Sequence, residues 1–252
     1  MLTFLRKIRK SLIESGSARK YILYAIGEIL LVMIGILLAL QVNNWNEWRK
    51  EREVESIMMK TLRDELTLSK KSFEQRIDHI TILKKASLSI INWIDSYPIV
   101  IATEHLMDTL ALSQFLGPYS PQRSIIDRIM AGNELDLISV YSVKTQLNQY
   151  HTQLQEVQKI EDLMFEFRKE LVEITGQYAR FRDLITGSPS WSSELRKVPA
   201  KDVDQQELFS DLSYDNQLSR SLNMHLICIN QEEMVINLLD EILELIDSKY
   251  SL

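Results

Sequence analysis

Residues 21–42, YILYAIGEILLVMIGILLALQV, form an apolar run that carries a single charge, Glu28. As an α-helix a run of this length spans roughly 33 Å, against ~30 Å for the hydrocarbon core of a bilayer, so it predicts a membrane-spanning helix in preference to a buried core helix. A cleavable signal peptide has a shorter apolar region and small residues at its cleavage site. Here the run closes on Leu40, Gln41 and Val42, which predicts an uncleaved anchor. Tyr21 and Tyr24 at one end, with Trp45 and Trp48 just past the other, are placed as membrane-interface anchors, because their rings are apolar in body and polar at the tip.

The flanks bear on orientation. Arg6, Lys7, Arg9, Lys10, Arg19 and Lys20 precede the run, with Leu2, Leu5, Ile8, Leu12 and Ile13 on one helical face. Such a basic amphipathic segment suits an anionic cytoplasmic leaflet, or is simply a positively charged flank. Arg49, Lys50, Arg52, Lys60 and Arg63 follow the run, so the count of positive charges decides little. A long downstream domain crosses largely regardless of charge, which predicts a cytoplasmic N-terminus and an extracytoplasmic bulk. The expected organisation is a basic cytoplasmic tail over residues 1–20, a transmembrane helix over 21–42 and an extracytoplasmic helical bundle over 43–252.

The 252 residues are 45% hydrophobic and 25% charged, with seven Gly and five Pro, enough for one sizeable domain that is all-α. A net charge of −6 argues against nucleic acid as a partner. The single cysteine, Cys228, allows neither an intrachain disulfide nor a cysteine zinc cluster.

The stretch ARKYILYAIGEILLVMIGILLALQVNNWNE, followed by a charged helix and later by SIIDRIMAGNELDLISVYSVKTQLNQYH, resembles a bacterial family of uncharacterised single-span envelope proteins. The likeness is specific in the anchor, where YAIGE, IGILLALQ and NNWNE stand in order, and weaker in the second block. It implies a short inside tail, one span and an outer helical domain, located in the bacterial inner membrane. It transfers no catalytic residue, and the last third of the chain carries no part of it.

Beyond the anchor the pattern predicts a helix running without a breaker to about Tyr97, where Pro98 stops it. Leu62 and Phe73, then Leu66, Ile77 and Leu88, and then Met58, Ile80 and Ile91 predict an eleven-residue seam. A short helix is expected over 103–116 with Thr103 as its cap, and another from Ser120 and Pro121 to Gly132 and Asn133. Leu135, Leu137 and Ile138 are expected to plug the core. A long helix over 139–185 carries Val143, Tyr150, Val157, Met164, Leu171, Tyr178 and Ile185 at seven-residue spacing. Its companions shift from Leu147 and Leu154 to Ile160, Phe167, Ile174 and Phe181, so it is expected to change neighbour near Glu161. A loop with Pro189 and Trp191, a short helix near residues 205–212 and a last long helix over 215–248 complete the chain, the latter apolar at Leu218, Leu222, Leu226, Ile229, Ile236, Leu239, Leu243 and Ile246.

No catalytic, cofactor-binding or metal-binding constellation is predicted. His79, His105, His151 and His225 lack the spacing that puts two imidazoles on one helical face, and no phosphate loop or nucleophile elbow occurs. His151 and His225 border apolar stripes and read as satisfied core or edge histidines. Acidic pairs such as Glu232 and Glu233, or Asp240 and Glu241, read as solvated surface.

Glu28 stands apart, since a carboxyl in a membrane helix usually faces protein or water and has a partner. Gly35 and Ala39 fall within about 20° of it around the helix, placing the acid and two small residues on one narrow face suited to self-association. The expected function is a non-enzymatic, membrane-anchored helical scaffold, homo-oligomeric through that face, with lipid and an envelope protein as partners. The alternatives are a single-span subunit of an ion-driven or channel complex that uses Glu28, by analogy with the single-span subunits of ion-driven motors, and an extracytoplasmic sensor bundle.

Overall fold

A computed structural model describes residues 18–115, 123–132, 134–186 and 201–250. Residues 1–17, Ser120 with Pro121, Asn133 and the loop bearing Pro189 and Trp191 lie outside the described residues. The described residues form helices and the connections between them, and no strand occurs among them. In chain order these are α1 (Ala18–Asp95), α2 (Thr103–Gln114), α3 (Ser124–Ala131), α4 (Glu134–Leu137), α5 (Tyr141–Tyr178), α6 (Phe181–Thr186), α7 (Gln205–Ser210) and α8 (Leu212–Tyr250). The chain divides into two compact units, residues 1–56 and 57–252.

In the first unit α1 begins at Ala18 and contains the apolar run without a break. The Leu, Ile, Val and Met side chains from Ile22 to Val42 are all exposed, from 49% for Ile26 to 73% for Leu31. Trp45 and Trp48 are exposed as well, and the Arg49 guanidinium lies 5.9 Å from the centroid of the Trp45 ring.

The second unit is a bundle of three long helical segments, α1 from Ile57 onward, α5 and α8. Cross-helix pairs fix their directions. Arg63 Nε meets Asp247 Oδ1 at 2.5 Å, Lys70 Nζ meets Asp240 Oδ1 at 2.5 Å and Arg76 Nε meets Glu232 Oε1 at 3.0 Å, so α8 descends as α1 rises. Gln146 donates to Glu241 at 3.1 Å, Gln153 to Gln231 at 2.7 Å, and Gln217 to the Phe167 carbonyl at 2.9 Å, so α8 is antiparallel to α5 too. These contacts run along most of α5, so α8 stays beside it throughout, while the short helix against α5 changes along its length as expected, from α3, where His151 Nε2 lies 3.8 Å from Asp127 Oδ1, to α2, where Gln114 donates to Thr175 at 2.9 Å.

Burial follows a seven-residue period in all three segments, giving coiled-coil-like packing. On α1 the buried set is Met59, Leu66, Phe73, Ile80 and Ser87 together with Leu62, Ser69, Arg76, Leu83 and Ile90. The eleven-residue seam is therefore wrong, and Leu88, which it placed in the core, is 42% exposed. Ser69, Arg76 and Ser87 occupy seam positions, so counting only apolar residues picks up the wrong period. On α5 the strict spacing holds from buried Val143 through Tyr150, Val157, Met164 and Leu171 to half-buried Tyr178. Its companion row passes from Leu147 and Leu154 to half-buried Glu161 and Arg168 and buried Thr175, so polar residues again produce the apparent shift. On α8 Leu218, Ile229, Leu239 and Ile246 are buried as expected, whereas Leu226 is 44% exposed. Each fully buried Leu or Ile contributes about 1.5–3 kcal/mol.

Short helices close the bundle. Around α3 and α4, Ile126, Ile129 and Ile138 join the core of Leu62, Leu66, Phe73, Leu147 and Leu239, with Leu135 and Leu137 packed against it. Around α2, α6 and α7, Leu106, Leu110, Leu184 and Leu208 surround Ile90, Leu171 and Tyr214. The cap of α2 is Ala102, with no side-chain bond; Thr103, expected in that role, donates instead to Asp202 Oδ1 at 2.6 Å. α5 ends at Tyr178 because Ala179 is extended (φ −124, ψ 140), so Ile185 and Phe181 belong to the separate α6 and Phe181 is 52% exposed. Gly132 closes α3 with φ −111, outside the left-handed region, so its role needs no glycine-specific backbone.

Candidate functional site

Glu28, Gly35 and Ala39 all lie on α1, whose unbroken helical geometry keeps them on one face. Gly35 and Ala39 are exposed and Glu28 is half-buried. A Cβ added at Gly35 would meet nothing within 4 Å, so a close-approach surface is open there. The backbones of Tyr21 and Tyr24 are helical, and Trp45 and Trp48 project from the same helix at the far end of the run.

The bundle contains a second group that the sequence did not single out. At mid-height, where the core narrows to Ile80, Met164, Met224, Cys228 and Ile229, each long helix contributes a polar side chain to its buried row. Arg76 of α1, only 6% exposed, points Nε at Glu232 Oε1 (3.0 Å) and Nη2 at Glu161 Oε1 (2.8 Å). Glu232 of α8 is fully buried, and Cys228, one turn earlier, donates its thiol to the same Oε1 at 3.2 Å. Glu232 Oε2 has no hydrogen-bond partner among the described residues. The expectation that Glu232 is solvated surface is thus overturned. Its neighbour Glu233 is exposed, because consecutive residues on a helix point about 100° apart.

Burial sets the electrostatics of this layer. It raises the Glu232 pKa to about 7, although Arg76, Cys228 and their hydrogen bonds pull the other way. It also raises Glu161, opposed by Arg76. The Cys228 thiol is pushed well above its ordinary range by burial and by the facing carboxylate, so it stays a thiol and is a poor nucleophile. His225, one heptad before Glu232, is 1% exposed, and its Nδ1 has no hydrogen-bond partner among the described residues. It is a core histidine, but this nitrogen is not satisfied. Burial first, and then the Arg168 charge, lower its pKa to about 4, so it is neutral at pH 7. His151 sits at the edge, with Nε2 3.8 Å from Asp127 Oδ1. Among the described residues no group of three or more His, Cys, Asp or Glu side chains is placed to hold a metal ion.

The layer was hidden because Arg76 and Glu232 carry letters that a hydrophobic pattern reads as surface. The available signal was register: Arg76 stands midway in the seven-residue series Leu62, Ser69, Arg76, Leu83 and Ile90, and Glu232 in the series Leu218, His225, Glu232, Leu239 and Ile246.

Fold and sites together define an all-α protein that fits membrane anchoring, with one candidate membrane-spanning helix among the described residues, near the N-terminus, its most apolar part wholly uncovered. Residues 28–111 match a family of unknown function, DUF6090. The match takes in Glu28, Gly35, Ala39 and Arg76, but neither Glu161 nor Glu232. No curated protein and no solved structure matches the chain.

Proposed function

We propose that this protein is a membrane-anchored helical scaffold of the bacterial inner membrane, with residues 1–20 cytoplasmic and the bundle extracytoplasmic. The observation that carries the reading is the uncovered apolar surface of α1 from Ile22 to Val42, where every Leu, Ile, Val and Met side chain is at least 49% exposed. Water-facing apolar surface of that extent is unfavourable at about 25 cal/mol per Å², and a bilayer removes it. The bundle supplies long, stiff helices suited to holding a protein partner. Two copies associate through the Glu28, Gly35 and Ala39 face, where small residues let backbones approach closely.

The test is membrane-impermeant maleimide labelling of intact cells, with single cysteines placed by Ser11→Cys and Ser248→Cys in a Cys228→Ser background. Labelling at position 248 and protection at position 11 until lysis is the expected result. The reverse pattern, or recovery of the full chain in the soluble fraction, overturns the reading.

A further inference from the structure

The layer at mid-bundle contains one guanidinium between two carboxylates. Arg76 faces Glu232 at 3.0 Å and Glu161 at 2.8 Å, and its single positive charge cannot neutralise both. The remaining titratable groups facing Glu232 do not supply the missing charge. Cys228, on the same helix, is a neutral thiol that donates to Oε1. His225 is a neutral imidazole one heptad away, and Arg168 on α5 bears on His225 and Arg76. Asp162, next to Glu161, adds negative charge. With both carboxylates ionised, the layer would hold an excess negative charge at a residue with no solvent exposure. Of the layer's carboxylate oxygens, Glu161 Oε1 lies 2.8 Å from the guanidinium but makes no hydrogen bond, and Glu232 Oε2 is buried without a hydrogen-bond partner among the described residues. A bare carboxylate oxygen costs far more there than a hydroxyl, because a buried charge loses its full hydration.

We propose that Glu232 is a buried proton-binding site, holding its proton on Oε2 while the bundle is closed, and that loss of this proton loosens the layer formed by Arg76, Glu161 and Glu232. The step is a plain acid dissociation in which the proton goes to water and the negative charge stays on the carboxylate. α1, α5 and α8 each supply one side chain, so the charge appears where the three helices meet. In a tethered bundle this converts a change in external pH into a change in packing. The proton site itself does not depend on which side of a membrane the bundle occupies.

Cys228 is a built-in reporter, being the sole cysteine, 1% exposed and hydrogen-bonded to the residue in question. In the full-length chain in lipid nanodiscs, its S–H infrared band should move to lower frequency between pH about 6 and about 8, as its acceptor changes from acid to carboxylate. An unmoved band overturns the proposal without any variant, and a band that still moves in Glu232→Gln places the proton elsewhere. For the loosening, the maleimide labelling rate of Cys228 in wild type is divided by that in Glu232→Gln at each pH, which removes the pH dependence common to both chains; the Glu232 carboxylate by itself suppresses thiolate and lowers the ratio, so a rise reports opening. The ratio should rise at least about tenfold from pH about 5.5 to about 8, since only the wild type gains a buried charge. A flat ratio overturns the loosening.

Discussion

Glu65, in the middle of α1, accepts a hydrogen bond from the Ser124 hydroxyl at 2.6 Å, so a side chain some sixty positions away in sequence caps α3. The same carboxylate takes the backbone N–H groups of Ile125 at 2.8 and 2.9 Å and of Ile126 at 3.2 Å. α3 has no side-chain cap of its own at Arg123, and its first N–H groups would otherwise go unpaired beside a core. A carboxylate there also meets the positive end of the helix.

Glu65→Ala is therefore expected to destabilise the bundle by about 2–3 kcal/mol, the combined worth of a lost cap and charge-assisted hydrogen bonds. Glu65→Gln, which retains an acceptor but no charge, should cost less. Chemical unfolding gives the energies, and faster amide exchange at Ile125 and Ile126 localises the effect. Equal stability of wild type and Glu65→Ala would contradict the role.

The buried acid and the buried histidine pull stability in opposite directions. Folded Glu232 holds its proton to about pH 7, against 4.5 for an ordinary Glu, so the folded state binds more protons in that window and stability falls as pH rises through it. Folded His225 takes a proton only below about pH 4, against 6.5 for an ordinary His, so the unfolded state binds more protons there and stability rises from pH 4 to 6.5. The wild type should show a flatter profile than either variant. His225→Leu should expose the fall with pH, and Glu232→Gln the rise, in thermal midpoints measured across pH 4 to 8.

Removing Arg76 alone strands two acids in the core. Arg76→Met is expected to cost about 3–5 kcal/mol at neutral pH, much of it recovered at low pH when the acids are protonated. The triple variant Arg76→Met, Glu161→Gln, Glu232→Leu should be about as stable as wild type or more so, because a packed apolar layer has no charges to desolvate. Urea midpoints decide this; a triple variant as unstable as Arg76→Met would mean that packing, not charge, sets the cost.

Within the anchor, Gly35→Cys and Ala39→Cys in a Cys228→Ser background should crosslink copies of the chain in membranes under mild oxidation. Absence of crosslinked dimer counts against the proposed face. Glu28→Gln separates the scaffold from an ion-carrying subunit: it should leave function intact in a scaffold, whereas lost function with unchanged association would favour the ion-carrying reading.

A single core truncation tests the register of α5. Leu147, fully buried, should cost about 2–5 kcal/mol as Leu147→Ala. Leu163, 52% exposed on the same helix, should cost little, and helical propensity then favours the alanine. Similar losses at the two positions would contradict the seven-residue seam.

The sequence by itself determined the apolar length of residues 21–42, the helical class, the strict spacing from Val143 to Tyr178 and the approximate ends of most helices. These are local properties, set by residue type at helical period and by Pro and Gly at the breaks. Tertiary structure decided which letters at the seams are buried, because a polar side chain is admitted to a core only when another helix brings a partner. Arg76 and Glu232 are legible as core only together, and Glu65 is a cap only because α3 folds back onto α1. Conversely Leu88 and Leu226, apolar but off the buried rows of their helices, are 42% and 44% exposed. Glu28 lies on the unbroken α1, a placement that follows from helical period alone, while the buried proton site emerged only where three helices met.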